Sequence, residues 1–352
     1  MKTIEINRRL VGDEQPVYIV AEIGSNFDGN IQRVKILIDL AKKCGADAVK
    51  FQSFLTDKII SKEGFKSLRI GFQKKWKKPV YDIYKKAELP REWHKEIFDY
   101  CNKKNITVFS TPYDKEAVDL LDKLNVPVFK IGSGDITWLE MIKYIAEKGK
   151  PIILGTGAST FKEIDEAVRI IRSTGNDDLI LLQCVTNYPS SFENANIKTI
   201  IKMRNKFNCL VGCSDHTPGN IVPLGMTSLG GCMIEKHFTD DKSRDGPDHP
   251  FAIDKDDFKI MVDSIRLLKK ALGSEKKVYD EESDTLILQR RCLRTSIDLK
   301  KGTKLTRTMI DVLRPAPKDS IYPKYIEKII GMKIKKDIKK GDYFTWKILD
   351  DE

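Results

Sequence analysis

The chain contains four histidines, and two of them, His216 and His237, each close a short apolar run. The runs read Cys209-Leu210-Val211-Gly212-Cys213-Ser214-Asp215-His216 and Cys232-Met233-Ile234-Glu235-Lys236-His237, with one helix-length segment between them. If both are neighbouring parallel strands, the two imidazoles project from one rim of a sheet, which is how a metal site or an acid/base pair is built. Two neutral nitrogen donors leave coordination positions for water and substrate oxygens, so the pair suits a divalent ion such as Mn²⁺, with Mg²⁺ or Co²⁺ as alternatives, in a Lewis-acid role. Glu22 and Asp248 add carboxylates. Lys50 and Lys130 stand inside or at the end of apolar runs, where an ammonium must be paired or must face an anion. Gly132-Ser133-Gly134 and Gly155-Thr156-Gly157 let backbone N–H groups approach phosphate oxygens. Together these groups favour a phosphorylated substrate.

Such groups need a rigid rim. Eight short apolar runs, at 17–24, 48–52, 107–110, 128–131, 152–155, 179–185, 209–213 and 232–238, alternate with segments of helical periodicity such as Val34-Leu37-Ile38-Leu40-Ala41 and Phe258-Met261-Val262-Ile265-Leu268. Runs apolar at consecutive positions suit a buried parallel sheet. Eight strand–helix units predict a (β/α)8 TIM barrel over 1–272, an α/β fold whose active site lies at the carboxyl ends of the strands. An open doubly wound sheet is disfavoured because no GxGxxG turn follows the first strand. The long connection from residue 53 to about 89, lysine-rich and aromatic, either covers the site or is a decorative insertion. A polar linker is expected over 273–286, followed by a small mostly-β domain over 287–352. In that domain Asp298-Leu299-Lys300-Lys301-Gly302 is echoed by Asp337-Ile338-Lys339-Lys340-Gly341, suggesting pseudo-symmetric halves.

Composition narrows the class. The hydrophobic fraction, 41%, is that of a globular protein. No run is long enough for a membrane span, and the N-terminus lacks a signal-peptide core. The seven cysteines form no CxxC pair and read as reduced thiols of a cytoplasmic protein. A zinc site at Cys209, Cys213 and Cys232 is disfavoured because Cys213 and His216 fall on opposite faces of a strand. The net charge of +11 comes largely from lysines on helical segments and reads as a solvated surface. The run Lys74-Lys75-Trp76-Lys77-Lys78 interleaves basic and aromatic residues, but no nucleic-acid-binding motif surrounds it, so neither nucleic acid nor membrane is an expected partner.

Ala21-Glu22-Ile23-Gly24-Ser25-Asn26, Val49-Lys50-Phe51-Gln52, Lys130-Ile131-Gly132-Ser133-Gly134-Asp135, Ser214-Asp215-His216-Thr217, Glu235-Lys236-His237-Phe238-Thr239 and Gly246-Pro247-Asp248-His249 resemble motifs of the sialic acid synthases. The final domain, with Arg314-Pro315 and Ile329-Ile330-Gly331, resembles the antifreeze-like (SAF) module fused to them. The resemblance implies a phosphoenolpyruvate-dependent C–C bond-forming transferase that condenses phosphoenolpyruvate with N-acetylmannosamine to give N-acetylneuraminate and phosphate. Legionaminic or pseudaminic acid synthesis from a diacetamido-trideoxyhexose is the alternative. It further implies metal binding by His216 and His237, and contact of Glu22 with the reacting end of the open-chain sugar. Lys50, Thr111, Lys130, Ser133 and Ser214 would hold phosphoenolpyruvate, and Gln52, Asp135, Tyr188 and Asp248 would face the sugar. Arg314 would reach the sugar's N-acyl group in a partner subunit, implying a domain-swapped homodimer. Three places depart from the family pattern: Phe27-Asp28 within the Asn-His-Asn-Gly run, Gly155 in place of serine, and Thr186 in place of asparagine. A more distant reading of the same rim is a Schiff-base aldolase using Lys130 as its amine. A non-catalytic alternative is a carbohydrate- or nucleic-acid-binding protein acting through the small domain.

Overall fold

A computed structural model describes residues 2–68, 73, 76 and 78–350. Phe72, Lys74, Lys75 and Lys77, from the basic and aromatic insertion, lie outside the described residues. The chain divides into two compact units, Met1–Gly273 and Ser274–Glu352.

The first unit begins with a hairpin that the sequence reading did not anticipate, β1 (Thr3–Ile6) and β2 (Arg9–Gly12), paired antiparallel. Asn7 and Arg8 carry it round the turn with φ of 50° and 65°, the double left-handed geometry of a tight two-residue turn. Ile4, Ile6 and Val11 join the main core. Four-residue strands give too short an alternation to stand out in sequence.

Eight parallel strands follow: β3 (Tyr18–Glu22), β4 (Ala48–Ser53), β5 (Thr107–Pro112), β6 (Phe129–Ile131), β7 (Ile152–Gly155), β8 (Leu179–Cys184), β9 (Leu210–Asp215) and β10 (Met233–Thr239). Their hydrogen-bonded order is β5-β4-β3-β10-β9-β8-β7-β6. β5 and β6 pack side by side without a ladder, so the TIM barrel is nearly closed. The strands are buried on both faces, lined inside by the barrel core and outside by helices. The helices start where local chemistry satisfies their first N–H groups. Asn30 accepts from Gln32 and Arg33, Thr160 and Glu163 form a capping box, and Asp254 accepts from Asp256 and Asp257. No helix among the described residues is long and apolar enough to cross a membrane.

Register is what turns the motifs into neighbours. Glu22 stands opposite both Lys50 and His237, and Glu235 stands opposite Ser214. Because side chains alternate along a strand, Glu235 and His237 share one face of β10 while Lys236 points to the other. There Lys236 pairs with Asp215 and donates to the Thr217 carbonyl at 2.6 Å, bracing the turn that follows His216.

The second unit is small, with its own core of Leu293, Leu299, Leu305, Ile310, Ile321, Ile329, Ile334, Ile338, Phe344 and Leu349. The stretch expected as a linker over 273–286 is partly helical, because Ser283–Gln289 forms a helix across its end, begun by the acidic turn Asp280–Glu282. The repeated Lys-Lys-Gly turns are related by a local pseudo-twofold. The Lys301 amide donates to Asp337 Oδ1 and the Lys340 amide to Asp298 Oδ1, each at 2.8 Å. Leu299 and Ile338 exchange backbone hydrogen bonds at 2.9 and 3.0 Å.

Candidate active site

Two lysines and two glutamates form a compact charged centre at the carboxyl end of the barrel. Lys50 Nζ lies 2.6 Å from Glu22 Oε2 and 3.6 Å from Glu235 Oε1, and it donates to Thr111 Oγ1 at 3.3 Å. Lys130 Nζ donates to the same Glu235 Oε1 at 3.1 Å, and Ser214 Oγ donates to it at 3.2 Å. All of these side chains are buried. Burial alone would push the Glu235 carboxyl up, yet Lys130 and Lys50 outweigh it and hold it well below the usual range. Burial opposes the charge on Lys50, but Glu22 and Glu235 raise it above the ordinary lysine range. Each ammonium group has three N–H donors; those of Lys50 face Glu22, Glu235 and Thr111, and Lys130 directs one to Glu235. Glu235 Oε2 is buried with no hydrogen-bond partner among the described residues, leaving an acceptor for a donor brought by substrate or water.

Glu235 is the member of this centre that the sequence reading left without a role. The signal was present. A charged residue inside an apolar strand, two positions before His237 and hence on the same face, demands the same explanation as Lys50.

The two imidazoles stand beside this centre with ring centroids 5.5 Å apart. Burial, then the neighbouring His237, push His216 down to about 3, so its ring is neutral. Its Nδ1 lies 2.8 Å from the Val185 carbonyl. That bond fixes the tautomer with hydrogen on Nδ1 and leaves Nε2 as a lone-pair donor. His237 Nδ1 is buried, without a hydrogen-bond partner among the described residues, and 3.9 Å from Asp248 Oδ2. No cluster of three or more potential ligands forms among the described residues. The protein offers two nitrogen donors and an open remainder, which fits a divalent ion whose other ligands come from substrate and water. The remaining histidines are tied elsewhere: His94 bonds Ser53 Oγ at 2.6 Å, and burial pushes it down to about 4.

A cavity of about 170 Å³ opens next to His237, lined in part by Gln52, Tyr113, Tyr188, Asp248 and Phe251. Gln52 Nε2 donates to Glu22 Oε1 at 2.7 Å. Asp248 Oδ2 accepts from the Ser25 amide and hydroxyl at 3.1 and 2.9 Å. Tyr188 lies with its ring centroid 4.2 Å from that of His216. Gly24, at φ +52°, must be glycine, because a Cβ there would fall 2.6 Å from Asp248 Oδ2. Ser133 accepts from the Gly157 amide at 2.9 Å and sits 3.2 Å from Cys184 Sγ. A Cβ on Gly155 would meet Ser133 Oγ at 2.7 Å, so glycine at this departure from the family pattern makes room for that hydroxyl.

Neither Arg314 nor Asp135 is among the residues lining the cavity. Arg314 lies in the second unit, exposed, just after the strand Ile310–Leu313. Asp135 ends the short 3-10 turn Ser133–Asp135 and does not line the cavity. Burial pushes its carboxyl up to about 6. A carboxyl whose pKa is raised on folding destabilises the folded state as pH climbs from about 4 through 6. Asp135→Asn should therefore be more stable than the parent by about 1–2 kcal/mol at pH 7.5 and no more stable at pH 4, checked by urea unfolding at both values.

The loop carrying Asp248 hangs from a clasp around the buried His249. His249 Nε2 lies 2.9 Å from Asp28 Oδ1, and Nδ1 lies 2.7 Å from Thr239 Oγ1. Arg33 reaches both Asp28, at 3.0 Å, and Asp240. The Asp28 departure from the family pattern thus supplies the carboxylate that His249 and Arg33 share. His249→Ala removes both ring bonds and leaves a void at a fully buried position. We expect a loss of about 2–4 kcal/mol in urea unfolding.

The fold is a nearly closed TIM barrel followed by a small β module, and two regions of the sequence match known families. Residues 37–277 match the NeuB family and residues 290–349 the SAF domain. The chain belongs to the NeuB family, the sialic acid synthases that carry a C-terminal SAF domain. It is 36% identical over 333 residues to the pseudaminic acid synthase of Campylobacter jejuni, covering 94% of this chain and 95% of that protein. It is 35% identical over 344 residues to the N,N'-diacetyllegionaminic acid synthase of Legionella pneumophila, covering 96% of each. The crystal structure of N-acetylneuraminic acid synthetase from Leptospira borgpetersenii superposes with a TM-score of 0.72 at 28% identity, covering 81% of this chain and 95% of that one.

Proposed function

We propose that this protein is an N-acetylneuraminate synthase-type enzyme, joining phosphoenolpyruvate to the aldehyde carbon of an open-chain N-acylated mannosamine-type sugar to give a nine-carbon 2-keto-3-deoxy acid and phosphate. The observation that carries the reading is Glu235 bridging Lys50 and Lys130 beside the His216–His237 pair. On this reading the lysines would form an anion cradle next to a site for a polarised carbonyl. N-acetylmannosamine is the parent substrate of this reading, and diacetamido-trideoxyhexoses leading to legionaminic or pseudaminic acid are the alternatives.

His216 and His237 would hold a divalent ion, Mn²⁺ first. Bound there, it supplies Lewis-acid polarisation of the aldehyde. The chain's own groups do the rest. Lys50 and Lys130, with Thr111, Ser133 and Ser214, hold the phosphate and carboxylate of phosphoenolpyruvate in a water-poor site where their charges are least screened. Gln52 and Asp248 orient the sugar through its hydroxyls, with Tyr188 against the His216 ring. Glu22, held between Lys50 and Gln52, sits where the aldehyde arrives. C3 of the enol attacks the aldehyde carbon, the new C–C bond forms, and the aldehyde oxygen takes up a proton. C2 takes an oxygen from water, and the resulting tetrahedral centre breaks its bond to the phosphate oxygen, giving the ketone. The two ammonium groups neutralise the departing phosphate. Holding both substrates on one rim replaces an improbable encounter in solution.

The small unit's Arg314 is assigned to the N-acyl group of a sugar bound in a partner subunit, so the working form is a homodimer. Seven free, buried thiols support a reducing, cytoplasmic setting. The test is phosphate release from phosphoenolpyruvate across a panel of mannosamine derivatives, with Mn²⁺ and with EDTA. Sugar-dependent release abolished by EDTA and restored by Mn²⁺ is expected. EDTA-insensitive turnover with a borohydride-trapped adduct at Lys130 would replace this reading by the Schiff-base one.

A further inference from the structure

Each histidine of the pair is preceded by one member of a buried ion pair, Asp215 before His216 and Lys236 before His237. Asp215 and Lys236 stand directly opposite each other, at the last rung of the ladder between β9 and β10. Their exposures are only 2% and 3%, so water does little to screen the pair. Alternation along β10 puts Lys236 on the face away from Glu235 and His237.

The two rings rest on unequal supports. His237 lies within β10, which runs on to Thr239, and is paired with Glu22 of β3. His216 lies one residue beyond the end of β9, where the ladder to β10 has already stopped. Other contacts must place it. The Val185 carbonyl lies 2.8 Å from its ring Nδ1, and the Ser190 amide donates to its carbonyl at 2.9 Å. The residues on either side of it are gripped by Lys236, whose ammonium donates to Asp215 Oδ2 and, at 2.6 Å, to the Thr217 carbonyl. Asp215 Oδ1 in turn accepts from the Thr217 amide and hydroxyl at 2.9 and 2.8 Å, closing the turn around His216. One side chain, covalently next to His237, thus holds both neighbours of His216.

We infer that Lys236 is a positioning residue for the histidine pair: with Asp215 it fixes the gap between the two imidazoles, and through that gap the affinity for the ion. This role presupposes that His216 and His237 hold a divalent ion, as proposed above. Its basis is preorganisation. With two nitrogen donors and no cluster of three or more ligands among the described residues, any freedom of His216 must be frozen when the ion binds. A buried ion pair is a poor way merely to glue two strands together, because apolar residues of similar volume stabilise a fold as well or better. What the charges add is direction, since charge-assisted hydrogen bonds set a distance and an angle that apolar contacts leave loose.

That difference supplies the test. Lys236→Met leaves Asp215 buried without its cation, and the melting temperature of the full-length protein should fall. Asp215→Val combined with Lys236→Met replaces both charges by apolar groups and should recover most of that loss. Mn²⁺ affinity, titrated on the metal-free protein by the electron paramagnetic resonance signal of the free ion, should be about tenfold to a hundredfold weaker in both variants. A double variant that is stable again and still binds Mn²⁺ weakly supports the positioning role. Parental Mn²⁺ affinity in the double variant, or affinity that recovers in step with the melting temperature, would show that the pair serves packing alone and overturn the assignment. Failure of the metal reading itself looks different: the parent would then bind no Mn²⁺, or its binding would survive His237→Ala, and the role of Lys236 falls with it.

Discussion

Glu235→Gln should lower phosphate release from phosphoenolpyruvate by at least about a thousandfold while leaving a protein that still folds. The amide is nearly isosteric, so the barrel keeps its packing, but the charge that binds Lys50 and Lys130 together is gone. Lys50 retains Glu22 at 2.6 Å, whereas Lys130 loses the carboxylate it touches. Breaking a buried ion pair by removing one partner typically costs about 3–5 kcal/mol, so the midpoint of urea unfolding should fall as well. The two effects have opposite relations to substrate. An anion entering the cradle supplies the missing negative charge, so phosphoenolpyruvate should raise the melting temperature of the variant more than that of the parent. A variant with parental turnover would mean that the lysine–glutamate centre is only a structural knot and that the chemistry lies elsewhere.

His237→Ala should abolish metal-dependent turnover, with a loss of about a thousandfold or more, and should abolish Mn²⁺ binding measured directly by the spectroscopic signal of the free ion. With two nitrogen donors and no third protein ligand among the described residues, neither histidine can be spared, and His216→Ala should behave alike. The stability change should be small or favourable, because His237 Nδ1 is a buried polar atom with no hydrogen-bond partner among the described residues. A variant that melts at or above the parental temperature and neither binds Mn²⁺ nor turns over separates the ligand role from a packing role. Retained Mn²⁺ affinity would place the ion at other groups.

The barrel and its rim were legible because they follow from periodicity. Buried parallel strands read as short apolar runs, and a residue's distance from the end of its run tells which rim it occupies. His216, His237, Lys50 and Lys130 were found that way. Glu235 was not given a role because its meaning depends on register. Only the pairing of β10 with β9, and the convergence of Lys50 and Lys130 from other strands, shows that it serves both lysines and Ser214. The clasp of His249 on Asp28 was invisible for a related reason, since its members lie 221 positions apart and meet through loops, which carry no periodicity. The hairpin of Thr3–Ile6 and Arg9–Gly12 was missed because its strands are shorter than the window in which alternation becomes a signal. The departures Phe27 and Gly155 have plain spatial causes. Phe27 is buried edge-on against Trp93, with ring centroids 6.3 Å apart, and Gly155 clears space for Ser133.

In the small unit each Lys-Lys-Gly turn has its amide held by the aspartate of the other, Asp337 for Lys301 and Asp298 for Lys340. Such mutual bracing makes the module a single cooperative piece. Neither half can be completed without its counterpart, so partial unfolding of one releases the other, and any fragment ending between them would carry two unmet obligations where the intact module has none.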